Sequence, residues 1–146
     1  MEMTFQRPRG FTLTELIIVV VVLGIMAGFA IPNYVKSIDR SYHKDGMVNL
    51  TAIYAAEQIY YNNNNSKYWP DSGTPQNVGA INTGLALGIL PNNLTYACTG
   101  NTNCVAGVGC DAYSCTATRT TAPGTMTLTV TQASSTPTCD SSGYCP

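Results

Sequence analysis

From Phe11 to Ile31 the chain reads FTLTELIIVVVVLGIMAGFAI, an apolar run interrupted by a single charge, Glu15. At a helical rise of ~1.5 Å per residue, about twenty such residues cross the ~30 Å hydrocarbon layer of a bilayer. No other segment limits the fold as strongly, because this one must be either a retained membrane helix or a signal that is removed. Arg7 and Arg9 lie just ahead of it. Basic residues at the entry of a span stay on the cytoplasmic side, so the rest of the chain is expected to face outward.

All six cysteines lie in the last third, at Cys98, Cys104, Cys110, Cys115, Cys139 and Cys145. An even number in a segment poor in bulky aliphatics reads as a disulfide framework. A zinc site calls for cysteine pairs at roughly two-to-four-residue spacing, often with histidine. Here the gaps are longer and the single histidine, His43, is far upstream, so no metal is expected. Oxidised cysteines place this end of the chain in the periplasm or outside the cell, in agreement with the arginines.

The 146 residues suit one small domain, and 10% charged residues with a net charge of -1 offer no basic surface for nucleic-acid phosphates. An enzyme needs a nucleophile, a base and an orienting group, and the chain supplies one histidine, no nucleophile elbow and few carboxylates. The expectation is a protein that is not an enzyme and takes no cofactor. Asp71, Asp111 and Asp140 are isolated, without calcium-loop spacing. Asn49-Leu50-Thr51, Asn64-Asn65-Ser66 and Asn93-Leu94-Thr95 match the glycosylation pattern, which chance explains in an Asn- and Thr-rich chain.

The apolar run has two plainer readings. As a secretory signal, it has Arg7 and Arg9 as its basic region and Gly28-Phe29-Ala30 as small residues at a cleavage site. The product would be a secreted disulfide-rich binding module beginning at Ile31. Against this, an acid inside the run costs about 2.5–3.5 kcal/mol at mid-membrane, and a disposable signal has no reason to carry one. The second plain reading is a simple anchor, with Glu15 tolerated near the interface.

Gly24 and Gly28, four residues apart with Ala27 and Ala30 nearby, permit close helix approach. Beyond Pro32, Tyr34, Ile38 and Tyr42 recur at helical spacing, and Ala52, Ala55, Ala56 and Ile59 line a later face. Asp39, Arg40, Lys44, Asp45 and Glu57 make that helix amphipathic. It is expected to run from Asn33 to about Tyr61, continuous with the span through a bend at Pro32. Ser66 to Gly73 is rich in turn formers and opens a connecting loop. Strands are expected at Leu94–Cys98, Ala112–Arg119 and Thr125–Gln132, forming a small antiparallel meander that packs on the long helix. The fold class is therefore α+β: a long N-terminal helix, membrane-spanning and then amphipathic, packed against a small antiparallel β-sheet.

Gly10-Phe11-Thr12-Leu13-Thr14-Glu15, followed by an apolar run ending Ala30-Ile31-Pro32-Asn33-Tyr34, resembles the class III signal of type IV pilins and type II secretion pseudopilins. The resemblance covers about the first fifty residues and implies the pilin fold. It implies that a prepilin peptidase cuts between Gly10 and Phe11, that the new Phe11 amine is methylated, and that the apolar segment is retained. It divides the chain into a leader (1–10), a transmembrane and assembly helix (11–31), an amphipathic helix (32–63) and a globular head (64–146). The Phe11 amine would pair with Glu15, in the same subunit or a neighbour. Gly24, Gly28 and Pro32 would mark a stretch that loses helicity on assembly.

The implied partners are identical or related pilin subunits in a helical homopolymer, the bacterial inner membrane before assembly, the prepilin peptidase and the pilus assembly machinery. The implied product is an extracellular type IV pilus serving adhesion, motility or DNA uptake, with a type II secretion pseudopilin sharing the same motif. A Cys139–Cys145 bond would close the tail loop, as in pilins. Cys110–Cys115 and Cys98–Cys104 are favoured as near neighbours, among the many pairings that six cysteines allow.

Overall fold

The computed structural model describes residues 10–120, 125–140 and 145. The expected leader, except Gly10, lies outside the described residues, with Arg7 and Arg9; so do residues 141–144 of the tail loop. The chain divides into a first unit ending at Ile38 and a second beginning at Asp39.

Helix α1 spans Leu13–Asn63, 51 residues. In the first unit its side chains from Leu13 to Ile31 are exposed, and none of the most apolar stretch is buried. This helix is long and apolar enough to cross a membrane. Proline has no N–H for the carbonyl one turn back, yet α1 continues through position 32. Next to it, Asn33 Nδ2 donates to the Phe29 carbonyl at 3.2 Å.

In the second unit, five strands form one antiparallel sheet: β1 (Gln76–Asn77), β2 (Thr95–Thr102), β3 (Ala112–Arg119), β4 (Met126–Thr131) and β5 (Ser134–Asp140). Their order in the sheet is their order in the chain. A short helix α2 (Val78–Gly84) follows β1, its N-terminus capped by the Asn77 side chain, which accepts from Ala80 N at 3.1 Å.

Burial alternates cleanly on β3 and β4, with Tyr113, Cys115 and Ala117, then Met126, Leu128 and Val130, turned inward. Register sets these side chains in rows: Tyr96, Ala117, Leu128 and Cys139 across β2 to β5, and Cys98, Cys115 and Val130 beside them. Against this face lie Leu50, Ile53 and Ala56 of α1, with Ile81, Leu85, Ile89 and Leu94 completing the core. The approach is closest at Gly46. A Cβ there would stand 2.6 Å from Leu128 Cδ1, so glycine lets the helix backbone sit almost on the sheet.

The α+β expectation and the three strands hold, and three elements were not expected. β1 has two residues. α2 reads VGAINTG, weak in helix formers. β5 carries Pro137, which has no N–H for the ladder and stands where the β4–β5 register shifts between Thr129 and Thr131. β5 is an edge strand, where such a gap is tolerated.

The described residues contain no free cysteine. Cys139–Cys145 forms as expected, while the other two pairings differ: the bonds are Cys98–Cys115 and Cys104–Cys110. Cys98–Cys104 is prevented because β2 runs extended to Thr102, at about 3.3 Å per residue, and carries Cys104 well away from Cys98. Cys110–Cys115 is prevented because Cys115 lies inside β3, directly opposite Cys98. Closeness in sequence was the wrong guide, since strands separate neighbours and bring distant residues face to face.

Candidate functional site

The motif residues stand at the start of α1. Gly10 and Phe11 precede the helix, both exposed, and nothing lies within 4 Å of where a Cβ on Gly10 would be. The peptide joining them is open to approach among the described residues. Thr12 is the last residue before the helix and Glu15 lies in its first turn.

Their side chains interlock. Thr12 Oγ1 accepts from Glu15 N at 3.2 Å, while Glu15 Oε2 accepts from both Thr12 N and the Thr12 hydroxyl, each at 3.1 Å. This reciprocal capping satisfies amides that a helix start leaves without partners. The helix dipole adds to it, since a carboxylate in the first turn faces the positive end. Glu15 therefore has a local partner at its own helix start. Sequence reasoning singled out Glu15 and passed over Thr12. The signal was present, because Thr-x-x-Glu directly before an apolar run is the sequence form of a capping box.

The remaining motif residues lie along α1. A Cβ added at Gly24 or Gly28 would meet nothing within 4 Å, so the two glycines leave shallow points one turn apart on an exposed apolar surface. Pro32 falls inside the helix. Leu16, Ile18, Val20 and Phe29 are among the large apolar side chains exposed there, and Phe11 is exposed just ahead of the helix. Exposed apolar surface on this scale is suited to lipid or to other helices, and not to water.

The six cysteines named from sequence all lie in the second unit and serve its sheet. Asp71 accepts from Gly107 N at 2.6 Å, and Asp111 accepts from Lys67 at 2.5 Å and from Asn103 at 2.7 Å. The latter two donors hold the Asp111 carboxyl below its usual range. Of the glycosylation-type asparagines, Asn49 donates to the Tyr96 hydroxyl, Asn64 to the Tyr60 carbonyl and Asn93 to the Tyr42 hydroxyl. His43 lies on α1, half-buried.

Residues 6–31 match the family model of the prokaryotic N-terminal methylation motif. Over 55 residues the chain is 47% identical to the type IV major pilin protein PilA of Myxococcus xanthus, covering 38% of this chain and 25% of that one. Over 63 residues it is 35% identical to the type II secretion system core protein G of Klebsiella pneumoniae, covering 43% and 44%. Over 39 residues it is 54% identical to the type IV major fimbrial protein FimA of Dichelobacter nodosus, covering 27% and 24%. The chain thus spans less than half the length of each of these curated relatives. No solved structure matches it. The protein therefore carries a prokaryotic N-terminal methylation motif at the head of a long apolar helix, on a chain that also carries a small antiparallel sheet, and over its N-terminal part it is similar to type IV pilins and to type II secretion core protein G.

Proposed function

We propose that this chain is a structural subunit of an extracellular type IV pilus. It is cut after Gly10, held in the inner membrane by α1 and then polymerised with copies of itself. The observation that carries this reading is Glu15, a carboxylate kept in the first turn of α1, where the exposed stretch to Ile31 is otherwise apolar, within the methylation motif. An acid is costly in that setting unless it meets a cation or a set of donors. An amine created at Phe11 supplies such a cation, and in a bundle of copies the pair would form only at the correct axial offset. Wrong offsets leave a bare charge in an apolar core. The chain has no catalytic task in this reading; its partners are the prepilin peptidase, the assembly machinery and other pilin subunits.

Purification of sheared fibres tests the proposal. The expected result is fibres built in bulk from this polypeptide, with a mature N-terminus at methylated Phe11. A soluble product beginning at Ile31 would overturn it.

A second reading is favoured by the protein G relatives, of which the chain covers 44% in Klebsiella pneumoniae. In that reading the chain is a pseudopilin of a type II secretion system. Deletion separates the two, since loss of surface fibres follows from the first and loss of exported proteins from the second.

A further inference from the structure

In the second unit a cleft of about 320 Å³ opens beside α1, lined by Asp45, Val48 and Asn49 of the helix, Leu90 and Leu94 of the following segment, and Tyr96 of β2. Its floor is polar. Asn49 Nδ2 donates to the Tyr96 hydroxyl at 2.7 Å, which fixes the amide and leaves Asn49 Oδ1 with no partner among the described residues. Asp45 stands one turn before Asn49 on the same helix face, exposed, and is in neither of the ion pairs among the described residues.

The rim is apolar. Val48 and Leu90 are 68% and 69% exposed, and with Ile59 and Val105 they are the large hydrophobics that the second unit leaves in the open among the described residues. Apolar walls over acceptors and an unpaired carboxylate suit one kind of group: an alkyl stem ending in a cation. An anion is repelled by Asp45, and a small neutral polar group gains nothing from the walls.

We propose that this cleft seats a lysine or arginine side chain of a neighbouring copy of this chain, an assignment that rests on the filament reading above. Charge complementarity identifies the occupant. Among the described cations, Lys67 and Arg119 are held by Asp111 and Asp39, whereas Lys36, Arg40 and Lys44 are exposed and in no ion pair. Lys44 is adjacent to Asp45 and points about 100° away from it, and Arg40 lies five residues before it, so neither shares the helix face of Asp45, although Lys44 stands one turn before Val48 at the rim. The three exposed cations and the cleft acid are complementary in charge between copies.

The test uses the full chain, produced with the pilus machinery, and charge reversal. Asp45→Lys should lower the yield of sheared filaments at least about tenfold, as expected for placing like charges at an interface. The detergent-solubilised monomer should keep its melting temperature, since the substitution is at the surface. One of Lys36→Asp, Arg40→Asp or Lys44→Asp, combined with Asp45→Lys, should restore the filaments. Asp45→Asn, nearly isosteric, should give filaments that dissociate at lower salt. Wild-type yield from Asp45→Lys, or failure of all three reversals to restore it, overturns the cleft assignment while wild-type filaments stand. Absence of filaments from the wild-type chain overturns the filament reading itself, and this assignment with it.

Discussion

Asp39 on α1 and Arg119 at the end of β3 are 80 residues apart in the chain and meet as an ion pair, their side chains 4% and 14% exposed. The Tyr42 ring lies 4.3 Å from the guanidinium carbon, and Asp39 Oδ2 and Arg119 Nε are buried with no hydrogen-bond partner among the described residues. Two charges out of water depend on each other, so removing one leaves the other uncompensated. Arg119→Met is expected to destabilise the second unit by about 3–5 kcal/mol. The double variant Asp39→Asn/Arg119→Met should recover much of that loss. Urea unfolding of the full chain in detergent measures both.

Glu57 gives the second unit an unusual dependence on pH. Its carboxyl is fully buried on α1, Oε2 accepting from Trp69 N at 2.9 Å and Oε1 without a partner among the described residues. Burial pushes its pKa up to about 8, and the Trp69 N–H offsets this only in part. An acid with a raised folded-state pKa favours folding most fully below its unfolded value, here 4.5, and that contribution is lost as pH rises through about 8. Stability should therefore fall between these pH values. Glu57→Gln, which keeps an acceptor for Trp69, should flatten the profile. The lowered pKa of Asp111 acts at the acid end and leaves this window untouched. Denaturation midpoints of both proteins between pH 5 and 8.5 check the slope.

At the start of α1, Thr12→Val keeps the shape of the side chain and removes the hydroxyl that binds Glu15. The expected loss is about 1 kcal/mol of local helix stability, seen as faster hydrogen exchange in the first turn. Glu15→Ala should insert in the membrane at wild-type levels yet yield few filaments. Normal piliation in that variant would remove Glu15 from its proposed role.

Gly100 points inward on β2, where an added Cβ would overlap Cys110 Sγ and lie 2.9 Å from both Cys104 Sγ and the Ser72 carbonyl. Neither a disulfide nor a backbone oxygen can rotate aside as a free side chain does. Gly100→Ala is expected to cost at least about 1–3 kcal/mol and to reduce the fraction of chains with a Cys104–Cys110 bond. Peptide mapping of non-reduced protein reads that fraction directly.

The sequence was most informative where periodicity is long and uniform. The apolar run, the amphipathic continuation of α1 and the Met126-Thr127-Leu128-Thr129-Val130 alternation each repeat one physical demand over several residues, and each became the expected element. β5 was hidden because Ser134-Ser135-Thr136-Pro137-Thr138 lacks an apolar face; it is held by pairing with β4. α2 was hidden by its glycines, although Asn77 marks its start. The disulfides failed for a related reason, since pairing depends on register and register is a property of the whole sheet. At the candidate site, Glu15 stood out as a charge among hydrocarbons, while Thr12 was lost among other threonines until its bonds to Glu15 were seen.

The strands lie side by side in the sequence they are encoded, each one hydrogen-bonded to the one before. A polypeptide exported from its N-terminal end onward presents its segments in that same succession. No strand has to wait for a later arrival to find its place, because every hairpin closes on material already delivered. The bridges obey the same schedule: Cys104–Cys110 is enclosed by Cys98–Cys115, and Cys139–Cys145 lies wholly beyond both. No bond crosses another, so each can close without one loop being threaded through another.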